Sequence, residues 1–159
     1  MNSNRKVIPF SDLKDLVDQY KKSGFKIVFT NGCFDLLHIG HVRYLEQAKS
    51  KGDILIVGIN TDRSVQKLKG PNRPIQSEQD RAEILASLKA VNHTVLFDEE
   101  TPIELIKEIR PDFLVKGGDW AIDKIVGWDF VQSYGGVVQS LQFIEGRSTT
   151  LIIEKSNKF

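Results

Sequence analysis

A single cysteine, Cys33, stands among the 159 residues, so no internal disulfide can form and a reducing compartment is the expected setting. No apolar run approaches the roughly 20 residues a membrane helix needs, and the first ten residues are polar with one short apolar step. Neither export nor membrane insertion is therefore expected, and the cytoplasm is the expected location. Charge of one sign is absent too: 22 lysines and arginines meet 21 acidic residues, and the net charge of +1 gives no sequence-independent attraction to nucleic acid or an anionic membrane. The chain has no G-x-x-x-x-G-K-S/T loop and no G-x-G-x-x-G after a strand, so kinase and dehydrogenase readings lack their phosphate cradles. What is present is a 40% hydrophobic content, enough for the core of one domain. We expect an N-terminal helix within residues 1–25 to pack on a main domain spanning 26–159.

Strand and helix signals alternate along the chain. Leu13, Leu16, Val17 and Tyr20 recur at helical spacing, with Ser11 placed to cap and Gly24 placed to end the turn. Apolar runs at 26–30 and 53–60 read as strands covered on both faces, joined by a helix over 39–51. A helix over 77–89 leads to a strand at 94–97. Thr101-Pro102 is expected to open the next helix with a capping hydroxyl, and Pro111 to close it before a strand at 113–115. A last strand at 137–141 precedes a short helix from Ser148, whose Ile152 and Ile153 are expected to pack on the sheet. This order predicts an α/β fold: an open, parallel, Rossmann-like sheet with helices on both faces and its ligands beyond the carboxyl ends of the strands.

The loop after the first strand reads T-N-G-C-F-D-L-L-H-I-G-H, placing His38 and His41 three apart at a helix start with Gly40 between them. A helix N-terminus offers free N–H groups and a positive dipole end, so two imidazoles there suit a phosphate. The spacing alone equally allows a capping or packed His38 and a surface His41. Zinc lacks ligands, since His93 is the only other histidine and Cys33 the only thiol. The segment E-G-R-S-T-T at 145–150 brings hydroxyls and helix N-terminal amides to an anion-sized space, although a plain N-cap would look the same.

Other residues suit a second anionic reactant. Lys67, Lys69 and Arg73 lie in Q-K-L-K-G-P-N-R-P, read as a loop over the ligand edge, and Arg81 stands near a helix start that its own helix does not favour for a cation. Asp35 and Asp62 can orient an acceptor or share a magnesium ion, with Asp62 also readable as a cap. In Lys116-Gly117-Gly118-Asp119-Trp120, the glycines permit close approach, Asp119 suits ribose hydroxyls, and Trp120 suits a base or the core.

The string F-D-L-L-H-I-G-H together with G-R-S-T-T resembles the H-x-G-H and G-x-S-T signatures of the cytidylyltransferase-like nucleotidyltransferases. The strings L-K-G-P-N-R-P-I, V-L-F-D-E-E-T-P and I-R-P-D-F-L-V-K-G-G-D bring the resemblance closest to the heptose 1-phosphate adenylyltransferases, over about residues 25–155. The resemblance implies transfer of AMP from ATP to D-glycero-D-manno-heptose 1-phosphate, giving ADP-heptose for lipopolysaccharide cores. It also implies Mg2+ bridged mainly by phosphates, with no protein metal cage, and a separate heptose kinase upstream. A homodimer is expected.

By the same resemblance, the nucleotide contacts are Thr30, Asn31, Gly32, Cys33, Phe34, Gly40, Lys116, Gly118, Asp119, Trp120, Gly146, Arg147, Ser148, Thr149 and Thr150. His38, His41, Lys69, Ser148 and Thr149 stabilise the charge that develops, and Asp35, Asp62, Lys67, Lys69, Arg73 and Arg81 hold the acceptor. Cys33 acts through its backbone rather than as a nucleophile. Glycerol-phosphate cytidylyltransferases carry an arginine at the place of Phe143, which points away from cytidine. Two other readings stay open: the same chemistry with CTP and an alcohol phosphate, and a nucleotide-binding regulatory module without turnover. An aminoacyl-tRNA synthetase is set aside, because no K-M-S-K-S string is present.

Overall fold

Five strands take up the most continuous apolar runs: β1 (Ile27–Gly32), β2 (Ile54–Asn60), β3 (His93–Phe97), β4 (Phe113–Gly117) and β5 (Val137–Leu141). This computed structural model describes residues 3–143 and 146–159. Glu145 of the expected phosphate-binding segment, and the first two residues of the expected N-terminal unit, lie outside the described residues. All strand pairs are parallel, in the order β3-β2-β1-β4-β5. Helices α1 (Phe10–Lys22), α2 (Ile39–Lys49), α3 (Asp62–Lys69), α4 (Glu78–Ala86), α5 (Ile103–Ile109), α6 (Trp128–Ser133) and α7 (Thr149–Ser156) connect and follow them. The fold is the open, Rossmann-like parallel sheet that the alternation predicts.

Strand periodicity divides the core into two layers. Ile54 and Ile56 of β2 join Leu13 and Val17 of α1 and Leu105, Ile106 and Ile109 of α5 on one face. Leu55, Val57 and Ile59 join Tyr44, Leu45 and Ala48 of α2 and Ala82 and Leu85 of α4 on the other. At the sheet's edge, Val7 bridges to Thr94 of β3 and Ile8 N donates to Thr94 O, covering an otherwise unpaired strand.

Several local expectations are corrected. Helix α1 starts one residue before Ser11, with Pro9 as N-cap, because the Ser11 hydroxyl turns to Asp12 Oδ1 at 3.1 Å. Helix α5 has Pro102 at its N-cap and no side-chain cap, so Thr101 does not close its first turn. The expected loop holding Lys67 and Lys69 is instead the last turn of α3, capped by Thr61, whose oxygen accepts from Ser64 N. Val65 alone supplies its buried apolar contact, too little for a periodic signal. Helix α7 fully buries no residue: Ile152 is exposed rather than packed on the sheet, and Ile153 is half-buried.

The topology places the ligand crevice. From β1 the chain runs out to β2 and β3, then returns to β4 on the other side of β1. Pairing of β1 with β4 is confined to Val28–Phe113 and Phe29–Leu114, whereas β1 stays paired with β2 through Gly32. The carboxyl ends of β1 and β4 thus part at the switch point, opening a crevice in the sheet.

Candidate active site

A cleft of about 220 Å³ lies in that crevice. Asn31, Gly32, Cys33 and Phe34 form one wall, Lys116 and Gly117 the opposite one, and His41, Tyr44, Lys69, Phe143 and Thr149 complete the lining with Asp35. The volume is below the ~300–1,000 Å³ of common ligand pockets, so a large ligand must extend along the open crevice.

The first wall is held by its own geometry. Phe34 sits in the left-handed region at φ 48°, a conformation costly for a bulky side chain. That turn lays its ring over Gly32, where an added Cβ would meet the ring at 2.9 Å, and against His41 at 5.3 Å between centroids. His38 is the N-cap of α2, and its Nδ1 accepts from Gly40 N at 3.1 Å. A neutral His38 therefore carries its proton on Nε2. The two imidazoles stack at 3.8 Å, an approach that two cations would resist. Burial, then the neighbouring Arg147, pushes His38 below its ordinary pKa. Burial, then His38 and Lys69, pushes His41 down to about 4. His41 Nδ1 is buried with no hydrogen-bond partner among the described residues. His38 is thus both the cap and a member of the site.

The second segment meets the first. A Cβ on Gly40 would lie 3.5 Å from Arg147 Cβ, and Thr149 Oγ1 donates to Leu36 O at 3.0 Å. Gly40 is filled from both sides by His38 and Arg147, so its small size serves this packing rather than the approach of a ligand. Ser148 caps α7, its oxygen accepting from Leu151 N. The Thr149 proton is committed to Leu36, leaving the Ser148 hydroxyl and the first amides of α7 to face an anion; Gly146, Arg147 and Thr150 are exposed.

The predicted acceptor residues divide. Lys69 lines the cleft, and its charge acts on both Cys33 and His41. Lys67, two residues earlier on the helix, lines a separate hollow with Ser64, Leu68, Asp98 and Glu100, so its assignment beside Lys69 is corrected. Arg81 is also corrected as a phosphate ligand. Its side chain is 0% exposed; Nε donates to Gln76 O, Nη1 to Cys33 O and Asn60 O, and Nη2 to Asp62 Oδ1. Arg81 therefore fixes the Cys33 loop from behind, and Asp62 is its ion-pair partner.

Asp35 is 2% exposed, bonded to Arg73 Nε at 3.1 Å and to the amides of Ile75 and Gln76. Burial alone would raise its pKa; the two amides and the guanidinium outweigh that and hold the carboxyl below its ordinary value. Its oxygens are committed to the loop at 73–76 rather than to an acceptor. Arg73 Nη2 has no partner among the described residues. Among the described residues no three His, Cys, Asp or Glu side chains come together.

Among nucleotide candidates, Thr30 is corrected: it is fully buried and shares its hydroxyl with Tyr44 at 2.6 Å. Burial raises the Cys33 thiol pKa, which suits a wall residue and not a nucleophile. Burial lowers the Lys116 pKa, and its Nζ stands 5.2 Å from the Trp120 ring centroid. Trp120 is half-exposed and pinned by its indole N–H to Gly117 O, Gly118 turns at φ 114°, and Asp119 is exposed. Sequence reasoning missed Tyr44 as a lining residue. Tyr44 had a signal, standing three residues beyond His41 as His41 stands beyond His38.

The sequence matches the cytidylyltransferase-like family over residues 29–155. It is 54% identical over 143 residues to the bifunctional protein HldE of Syntrophotalea carbinolica, covering 90% of this chain and 29% of that protein. It is likewise 54% identical over 152 residues to the bifunctional protein HldE of Koribacter versatilis, with 96% and 31% covered. The chain thus spans less than a third of the length of these curated relatives. Among solved structures it is similar to the lipopolysaccharide core biosynthesis protein from Thermoplasma volcanium GSS1, at a TM-score of 0.61 and 28% identity, covering 78% of this chain and 100% of that one. No helix among the described residues is long and apolar enough to cross a membrane. With H-I-G-H and G-R-S-T-T facing one switch-point crevice, the chain belongs to the cytidylyltransferase-like family of nucleotidyltransferases.

Proposed function

We propose that the chain transfers AMP from ATP to D-glycero-D-manno-heptose 1-phosphate, releasing pyrophosphate and ADP-heptose. The observation that carries the reading is the meeting of the stacked His38–His41 pair with the start of α7 across one cleft, which supplies anion-binding groups on two sides. An oxygen of the sugar phosphate attacks the α-phosphorus, a new P–O bond forms, and the bridging P–O bond to the β-phosphate breaks with its electron pair leaving on pyrophosphate. His38 donates through Nε2–H to the growing charge, and His41 takes up the same role beside it. The Ser148 hydroxyl and the first amides of α7 hold the outer phosphates, while Lys69, Lys116 and Arg73 neutralise the reactants. A magnesium ion bound with the triphosphate would supply further charge neutralisation there. A separate kinase activity would supply the sugar 1-phosphate, in keeping with relatives that are called bifunctional and of which this chain spans less than a third. The test is pyrophosphate release with ATP and heptose 1-phosphate against CTP and glycerol 3-phosphate. Turnover confined to the first pair is expected; turnover confined to the second overturns the assignment.

A further inference from the structure

One aromatic ring in the cleft keeps an open face among the described residues. Phe143, just beyond β5, lines the cleft yet is 54% exposed, whereas Phe34 and Tyr44 on the same lining are 8% and 5% exposed. Its ring is seated from behind. An added Cβ on Gly117 would lie 2.5 Å from its Cζ and 2.6 Å from its Cε1, so any side chain there would push the ring from this seat. Gly117 has no positive φ to require glycine, which leaves this close approach as the physical reason for it. Tyr44 stands 5.8 Å away at 49° and is itself fixed by Thr30. The neighbouring lining, with Asn31, Asp35, His41, Lys69 and Lys116, is polar or charged.

We infer that Phe143 is a specificity-determining residue whose open face stacks on the nucleobase. The inference rests on reading the cleft as a nucleoside triphosphate site. The phosphates of both reactants belong with the charged lining, and the base is the one planar, weakly polar part that a held aromatic ring suits. A purine covers more of the ring than a pyrimidine, so the same contact favours ATP over CTP.

The test measures equilibrium binding of ATP, CTP and heptose 1-phosphate separately to the full chain, its F143A and its F143Y variants by calorimetry. Circular dichroism confirms the fold, which a residue more than half exposed should not upset. F143A should weaken ATP binding about 5- to 140-fold, the range of base–aromatic stacking, and weaken CTP binding less. F143Y should stay within about threefold of the parent. Unchanged ATP affinity in F143A, equal losses for ATP and CTP, or a loss confined to the sugar phosphate overturns the inference. Turnover separates it from the functional reading: ATP binding that depends on Phe143 without pyrophosphate release from ATP and heptose 1-phosphate would sink that reading and leave this inference standing.

Discussion

Filling the cleft with a triphosphate should protonate His41, and the size of that uptake follows from its surroundings. Burial, His38 and Lys69 all oppose a positive charge on His41 and push its pKa down to about 4. At pH 6 about 1% of it is protonated. If the anionic ligand does no more than cancel those effects and restore a pKa of about 6.5, roughly three quarters becomes protonated, an uptake of about 0.7 proton per ATP. At pH 8 the same arithmetic leaves about 0.03, so the uptake fades as pH rises through the bound-state pKa. Calorimetry in two buffers of different ionisation enthalpy reads the uptake directly, and H41Q supplies the reference for protons taken by the nucleotide itself. Equal uptake by the parent and H41Q at pH 6 would refute the placement of His41 against the phosphates.

Three other outcomes follow. His41→Ala should lower kcat by at least ~100-fold, the scale for one oriented transition-state donor, with the circular dichroism spectrum unchanged. Arg81→Met should destabilise the fold by about 3–5 kcal/mol in urea titration, since it strands the buried carbonyl of Asn60 and the part-buried carbonyls of Cys33 and Gln76. Lys69→Ala should lower kcat/KM by about tenfold or more, whereas Lys67→Ala should stay within about twofold in the same steady-state assay, because only Lys69 lines the cleft.

The sheet was legible because its strands are nearly unbroken apolar runs and its longer helices carry periodic stripes; Val137–Leu141 came out at the predicted bounds. Helices α3 and α6 were not, since eight and six residues with few buried apolar side chains give too little periodicity to register. In the site, residue type and spacing marked the H-I-G-H and G-R-S-T-T segments as able to bind an anion, and only the family resemblance favoured that over plain caps. The partners that consume a side chain were not legible. Arg81 looked like a misplaced cation near its helix start, yet its guanidinium ties three backbone carbonyls that are up to 48 residues away in sequence. Thr30 and Asp35 were withdrawn from the ligand in the same way, by Tyr44 and by the 73–76 loop. A one-dimensional reading finds which groups can bind an anion; only the fold shows which of them are already bound.

A crystal structure of the complex with an α,β-methylene analogue of ATP tests the central claim most directly. The α-phosphate is expected between the Gly32–Phe34 backbone and the His38–His41 pair, with the outer phosphates against the first amides of α7. Phosphates seated away from both segments, or on only one of them, would contradict it.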